Sequence, residues 1–273
     1  MAATKILFVS QEISPYLPSN NISKLGKDLP QALHGKKFEV RTFMPKFGNV
    51  NERRNQLHEV IRLSGLNIEI DDNDHPLILK VASMSPVRIQ VYFIDNDDYF
   101  QKEDSDIDAF GSNRPDNDER ALYFARGTME TVKKLQWDPA IVQCSGWMSA
   151  LTPLYMRHMY EPEEGASPIK IVYCVEPHNE EMASIDPQII RKLREDGVSP
   201  ELVDKYEKGE AVAMDVNDLH RIAIDNADGV VFLTETPDPQ LLEYVESLGI
   251  PYMTRDKISE EGTAAFPTFY ETL

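Results

Sequence analysis

Strand-like apolar runs alternate with helical patterns from one end of the sequence to the other. That alternation restricts the chain to an α/β fold, a mostly parallel sheet covered by helices on both faces. The runs are KILFVS at 5–10, FEVRTFM at 38–44, IVQCS at 141–145, IVYCV at 171–175 and GVVFLT at 229–234. Helical segments fit between them. SKLGKDLPQALHG places Leu25, Leu29 and Leu33 at fourfold spacing, with Pro30 expected to kink or divide it. DERALYFARGTMETVKKL has an apolar stripe and a basic carboxyl end that suits the helix dipole. Asp186-Pro187, Ser199-Pro200 and Asp238-Pro239 each offer an N-cap followed by proline at the first helical position, and Gly249 is placed to close the last of these helices.

Between residues 58 and 100 the period changes. LNIEI, PLILKVASM and VRIQVYFID are extended runs joined by turn residues, which predicts a small antiparallel insertion on the sheet. With 273 residues and 41% hydrophobic composition the chain is long enough for a well-buried core, and the reading is one domain over 1–273. The segment after Thr254 has weak pattern and is expected to gain order by docking Phe266, Phe269 and Tyr270.

Charge and cysteine content narrow the function. Asp and Glu number 46 against 28 Lys and Arg, a formal charge of -18, so the molecule's field repels polyanions and argues against nucleic acid or an anionic membrane as partner. The amino-terminal run is too short for a signal peptide, and no run approaches the length of a membrane span, which points to the cytoplasm. Cys144 and Cys174, the only cysteines, sit inside apolar strand-like runs, where buried inert thiols in a reducing compartment are the expectation.

The stretch IVQCSGWMSALTPLYM, 141–156, poses the central question. It reads as a strand crossing into a helix, so Ser145-Gly146-Trp147-Met148 falls at a strand's carboxyl end, where open α/β sheets bind ligands, yet it carries no group for acid-base chemistry. Nothing elsewhere supplies one. DSDIDAFG at 104–111 has the carboxylate spacing of a calcium loop but alanine where the turn needs glycine, and reads as a solvated acidic loop; EIDDNDH at 69–75 reads as a hairpin connection. The six histidines show no metal-ligand spacing, and no glycine-rich phosphate motif is present, so no metal, cofactor or catalytic residue is assigned.

Several segments, in order and at natural spacing from Lys5 to about Val245, resemble the amino-terminal half of bacterial glycogen and starch synthases. KILFVSQEISPY is similar to that family's opening strand and Ser-x-Glu-x-x-Pro-aromatic loop, and LPQALHGKKFEVRTFMPKFG to its first helix and second strand. VYFIDNDDYF and the stretch around Asp116 to Arg120 resemble its third landmark, and SGWMSALTPLYM falls where the family has His-Asp-Trp-His before Ala-Leu-x-Pro-Leu-Tyr. The resemblance implies a Rossmann-like, doubly wound domain, one half of the two-domain GT-B glycosyltransferase architecture.

The departures concern chemistry. Where the family holds phosphates with Lys-Thr-Gly-Gly-Leu, this chain has Pro18-Ser19-Asn20-Asn21-Ile22; proline brings neither charge nor amide hydrogen, and the asparagines crowd the approach glycine permits. Ser145-Gly146-Trp147-Met148 keeps only the tryptophan, Ile-His-Asn becomes Val175-Glu176-Pro177, and Thr-Val-Ser-Pro becomes Leu233-Thr234-Glu235-Thr236. The sequence also ends before the family's second domain, which supplies most of the nucleotide pocket. Each lost charged hydrogen bond is worth about 1.5–3 kcal/mol, so losing several removes many powers of ten in rate. The expectation is a catalytically degenerate relative with no cofactor, whose crevice of Glu12, Tyr16, Asn20, Asn21, Ser145 and Trp147 holds an α-glucan or oligosaccharide, or a partner protein domain. Trp147 and Tyr16 serve there as sugar platforms or simply as core. Two rivals stand beside it: a glycosyltransferase active only with a separate donor-binding chain, which requires a broad apolar patch where that domain packs, and an interaction protein unrelated to sugars.

Overall fold

A computed structural model of the chain describes residues 3–35, 37–101, 113–176, 185–208 and 214–273. The strands are β1 (Thr4–Ser10), β2 (Phe38–Pro45), β3 (His58–Glu59), β4 (Leu66–Ile70), β5 (Asn73–Met84), β6 (Ile89–Asp95), β7 (Ile141–Ser145), β8 (Lys170–Val175), β9 (Gly229–Phe232) and β10 (Tyr252–Met253). The helices are α1 (Asn21–Leu33), α2 (Glu52–Asn55), α3 (Asn117–Leu135), α4 (Thr152–His158), α5 (Ile189–Glu195), α6 (Pro200–Val203), α7 (Val216–Asp225), α8 (Pro239–Leu248), α9 (Arg255–Glu261) and α10 (Ala265–Tyr270).

The sheet runs β10-β9-β8-β7-β1-β2-β6-β5-β3, with β4 paired to β5. From β10 to β6 every pairing is parallel. The expected α/β doubly wound sheet is therefore present. From β1 the chain builds outward to β2 and β6, then returns to β1's other side and builds through β7, β8 and β9, so the strand order reverses between β1 and β7. In open α/β sheets that reversal point is where ligands bind, between loops that leave in opposite directions.

The expected antiparallel insertion is present. β3, β4, β5 and β6 are joined by antiparallel pairings, β5 and β6 over Ile78↔Asp95 to Met84↔Ile89, and β6 also pairs parallel with β2 over Thr42↔Val91 to Pro45↔Ile94, which fuses the insertion to the main sheet. The buried run Val91–Ile94 explains this, since both faces of β6 are covered. The acidic stretch 104–111 lies outside the described residues.

Local signals act mostly as read. Pro30 is an exception: it sits inside a continuous α1, and the carbonyl its missing amide would have bonded belongs to Gly26. Gly26 itself packs tightly, since a Cβ there would lie 2.9 Å from the Glu12 carbonyl oxygen. Asp238 accepts from the Gln240 and Leu241 amides at 2.8 and 3.3 Å, and Gly249 ends α8 at φ +66°. Asp186 instead bonds the Gln188 amide, so α5 starts two residues after Pro187, and Ser199 makes no side-chain capping bond to α6.

Two features lock the outer layers. Buried Lys192 of α5 donates to Asp118 at 2.8 Å and Glu119 at 2.5 Å, both at the start of α3. Burial lifts the Asp118 carboxyl to about 6, against the pull of Lys192. The carboxyl-terminal segment forms α9 and α10 and buries Phe266, Phe269 and Tyr270 as expected. The Tyr270 hydroxyl donates to Gln143 Oε1 on β7 at 2.5 Å. Phe269 and Leu273 lie so close over Gly229 that a Cβ there would sit 2.9 and 2.7 Å from them.

Phe269→Ala is expected to lower unfolding stability by about 3–5 kcal/mol, the range for truncating a buried aromatic. Chemical denaturation measures it, and a loss under about 1 kcal/mol would show that the segment is not part of the core. The Asp118 carboxyl predicts a pH dependence. Its folded value lies above its unfolded one, so this contribution is complete below about pH 4 and is lost as pH rises through about 6. Asp118→Asn is expected to flatten that part of the stability curve, and a wild-type curve with no fall attributable to Asp118 would contradict the assignment.

Candidate functional site

The sequence-predicted crevice falls among the loops that follow these strands: residues 10–22 after β1, 145–149 after β7, Glu176 after β8 and 233–238 after β9. Parallel register brings these ends level: Ser10 pairs with Ser145, Ser145 with Cys174, and Val175 with Phe232. Past the last ladder bonds, the loops pair with one another. The Gln11 amide donates to the Ser145 carbonyl at 3.0 Å, Gly146 to Cys174 at 3.1 Å, and Leu233 to Val175 at 2.9 Å.

Gln11, absent from the sequence-based crevice list, fills the crossing. Its Oε1 accepts from the Met148 amide at 3.3 Å, and its Nε2 donates to Glu12 Oε1 at 3.2 Å. Gly146 has φ +85°, and a Cβ there would meet Gln11 Oε1 at 2.8 Å and Ile22 Cδ1 at 3.0 Å. The turn therefore needs glycine for its backbone angle and for its closeness to Gln11. Beneath it, the Gly146 carbonyl accepts from Ser149 Oγ at 2.8 Å and from the Tyr173 hydroxyl at 3.3 Å; Tyr173 also meets His220 Nδ1 at 2.7 Å. Tyr173 and His220 are buried and serve as the turn's floor.

The predicted residues fall into two groups. Glu12, Asn20, Asn21 and Ser145 come together at the ends of β1 and β7 and the start of α1. Glu12 is 3% exposed and its Oε2 accepts from Asn20 Nδ2 at 2.6 Å. Asn20 also caps α1: its Oδ1 accepts from the Ser23 amide, and its own amide donates to Ser23 Oγ, both at 2.8 Å. Asn21 reaches across the crevice, donating to Glu176 Oε1 at 3.0 Å and approaching the Leu233 carbonyl at 3.5 Å. Burial raises the Glu176 carboxyl above its ordinary value, while the Asn21 bond and then the field of Arg255 hold it down.

Trp147 and Tyr16 are the second group. Trp147 is 3% exposed in a short turn packed against α3 and α7, and Tyr16 is 7% exposed and edge-on to Phe93 at 4.9 Å. Neither ring lies open, and burial pushes the Tyr16 hydroxyl up to about 12. The two thiols are buried and free; register puts Cys144 beside Tyr173 and Cys174 beside Ser145, hence on opposite faces of the sheet. Among the described residues no group of three or more His, Cys, Asp or Glu is placed to hold a metal ion, and no helix is long and apolar enough to cross a membrane. Pro177 and His178 lie outside the described residues.

Comparison with known proteins bears on the family and the fold. The family model for the starch synthase catalytic domain matches residues 5–236. The glycogen synthase of Chlorobium limicola is 34% identical over 212 residues, 77% of this chain and 42% of the relative. That of Chlorobaculum tepidum is 31% identical over 243 residues, 88% of this chain and 47% of the relative. The chain thus spans less than half the length of these curated relatives. Among solved structures, the catalytic domain of starch synthase IV from Arabidopsis thaliana, bound to ADP and acarbose, superposes with a TM-score of 0.69 at 16% identity, over 93% of this chain and 51% of that one. This likeness places the fold as one half of a GT-B architecture.

Gly146→Ala is expected to destabilise the chain by about 2–3 kcal/mol, combining a left-handed backbone angle with the contact to Gln11. In a double-mutant cycle with Gln11→Ala, a coupling of about 0.5–2 kcal/mol is expected as the contact is relieved and the backbone strain stays. Strict additivity would show that Gln11 does not fill the crossing.

Proposed function

The chain belongs to the starch synthase catalytic domain family, and from that premise we propose that it is a catalytically degenerate member serving glucan metabolism as a binding or regulatory module. The observation that carries this reading is the filled crossing. Where the resemblance places histidines and an aspartate, Ser145-Gly146-Trp147-Met148 offers no titratable side chain, and Gln11 packs against Gly146 and bonds the Met148 amide. A neutral amide exchanges no proton at ordinary pH, so the crossing positions backbone and cannot act as general acid or base. What remains at the crevice is a polar rim of Asn20, Asn21, Glu12 and Glu176, chemistry that suits sugar hydroxyls. An α-glucan or oligosaccharide is the ligand this reading assigns, with a partner protein domain as the other occupant of the same crevice. Two free, buried thiols suit a reducing compartment, which we take to be the cytoplasm.

Family membership itself favours a second reading, glucosyl transfer assisted by a separate chain that carries the donor-binding half. That reading requires an apolar docking face. The large exposed hydrophobics among the described residues are Ile61, Val87, Leu248 and Tyr252; the first two lie in the β3–β6 region and the others near the outer edge at β10, away from the crevice loops. This dispersal weighs against it.

The deciding experiment is incorporation of labelled glucose from ADP-glucose, and in parallel UDP-glucose, into glycogen by the folded chain against a heat-killed blank. The proposal expects blank-level counts with either donor. Incorporation above blank would overturn the degenerate reading.

A further inference from the structure

We propose that the outer edge of β4, with the cavity at its tip, is a docking site for an extended basic peptide segment. Among the described residues β4 pairs only with β5. Pro76 of β5 shows which way the backbone of β4 points. It has no amide hydrogen, and its carbonyl accepts from Asn96 Nδ2 at 3.1 Å and from the Tyr123 hydroxyl of α3 at 3.0 Å, so it offers β4 nothing. Its register partner Asn67 therefore belongs to a pair without ladder bonds, and so does Glu69, two residues on. The amides and carbonyls of Asn67 and Glu69 point outward, and both residues are exposed. Ile68 and Ile70 are buried on the other face, Ile68 beside Gly127 of α3. The strand, LNIEI, has none of the lysine or proline that commonly blunts a free edge.

The tip of the hairpin sets the charge of the occupant. Asp71 and Asp72, which join β4 to β5, have φ +54° and +60°, and Arg191 of α5 holds the Asp71 carboxylate at 2.7 Å. Between this turn, α3 and α5 lies a cavity of about 400 Å³ whose wall includes Glu69, Asp71, Asp72, Glu195 and Asp196. The two cations in the wall are already committed, Arg126 to Asp196 and Lys192 to Asp118 and Glu119. Glu69 and Asp72 have no ion-pair partner among the described residues. Because Glu69 and Ile70 belong both to the strand and to the cavity wall, a segment paired along the edge runs past the cavity. Backbone pairing supplies affinity for an extended chain, and the carboxylates select one that carries Lys or Arg. A second copy of this chain is the wrong occupant, since a charge of -18 repels its like. The site lies at the outer side of β5, away from the crevice loops, and is independent of whether the crevice holds a glucan.

The test uses the full chain and two end-blocked heptapeptides of equal charge, one alternating lysine with threonine and one with every threonine replaced by proline. Binding is read by fluorescence anisotropy and its place by hydrogen exchange. The alternating peptide is expected to bind saturably, to protect the Asn67 and Glu69 amides, and to weaken as salt is raised. The proline peptide keeps the charge but is a poor ladder partner, and is expected to bind at least about tenfold more weakly. Asn67→Pro removes an outward amide that the β5 ladder does not use, so the fold is kept while protection and most of the affinity are lost. Glu69→Lys/Asp72→Asn keeps a residue that tolerates the turn at 72 and is expected to weaken binding about tenfold. No saturable binding of the alternating peptide, equal binding of the two peptides, protection elsewhere on the molecule, or indifference to both folded variants would each overturn the inference.

Discussion

The structure turns on a need to pair backbone groups where the strand order reverses. At the carboxyl ends of β1 and β7 the ladder stops while the chain is still buried, and an unpaired buried amide or carbonyl is costly. Gln11 to Ser145, Gly146 to Cys174 and Leu233 to Val175 extend the pairing by one step beyond the strands. The Gln11 side chain then takes the Met148 amide. Once these bonds are made, the loops at the crossing are held by the sheet itself.

Glycines permit that closeness. Gly146 lies against Gln11, and Gly26 brings α1 onto the Glu12 carbonyl. The helix start is thereby pressed against the end of β1, and Asn20 and Asn21 are left facing the crevice. What they do there follows from their amides. Each donates to a carboxylate, and together they join the first loop to those after β8 and β9. The crevice is bridged by polar contacts that an uncharged ligand can exchange for its own.

Much of this was legible in sequence. Apolar runs marked the parallel strands because both faces of such strands are buried, and Asp238 and Gly249 marked α8 because capping is a local interaction. Long-range pairing was less visible. β6 pairs with β5 as its pattern suggested, but its second, parallel contact with β2 depends on residues nearly fifty positions away and was not evident. Lys192 gave no sign of its partners at 118 and 119, and Gln11 gave none of its bond to Met148. At the crevice, the replacement of glycines by Asn20 and Asn21 read as a loss of phosphate chemistry. The capping box and the bridge to Glu176 were not evident, because the first needs the helix start placed to the residue and the second needs a partner 155 positions on.

The central claim is that the scaffold of a glucosyl-transfer crevice persists as a binding surface. Hydrogen exchange of the full chain with and without maltoheptaose measures this most directly. The account predicts saturable protection confined to amides at 11–23, 145–149 and 233–238, with the far side of the sheet around β3 to β5 unchanged. Exchange that is identical at every sugar concentration, or protection that falls elsewhere on the molecule, would contradict it.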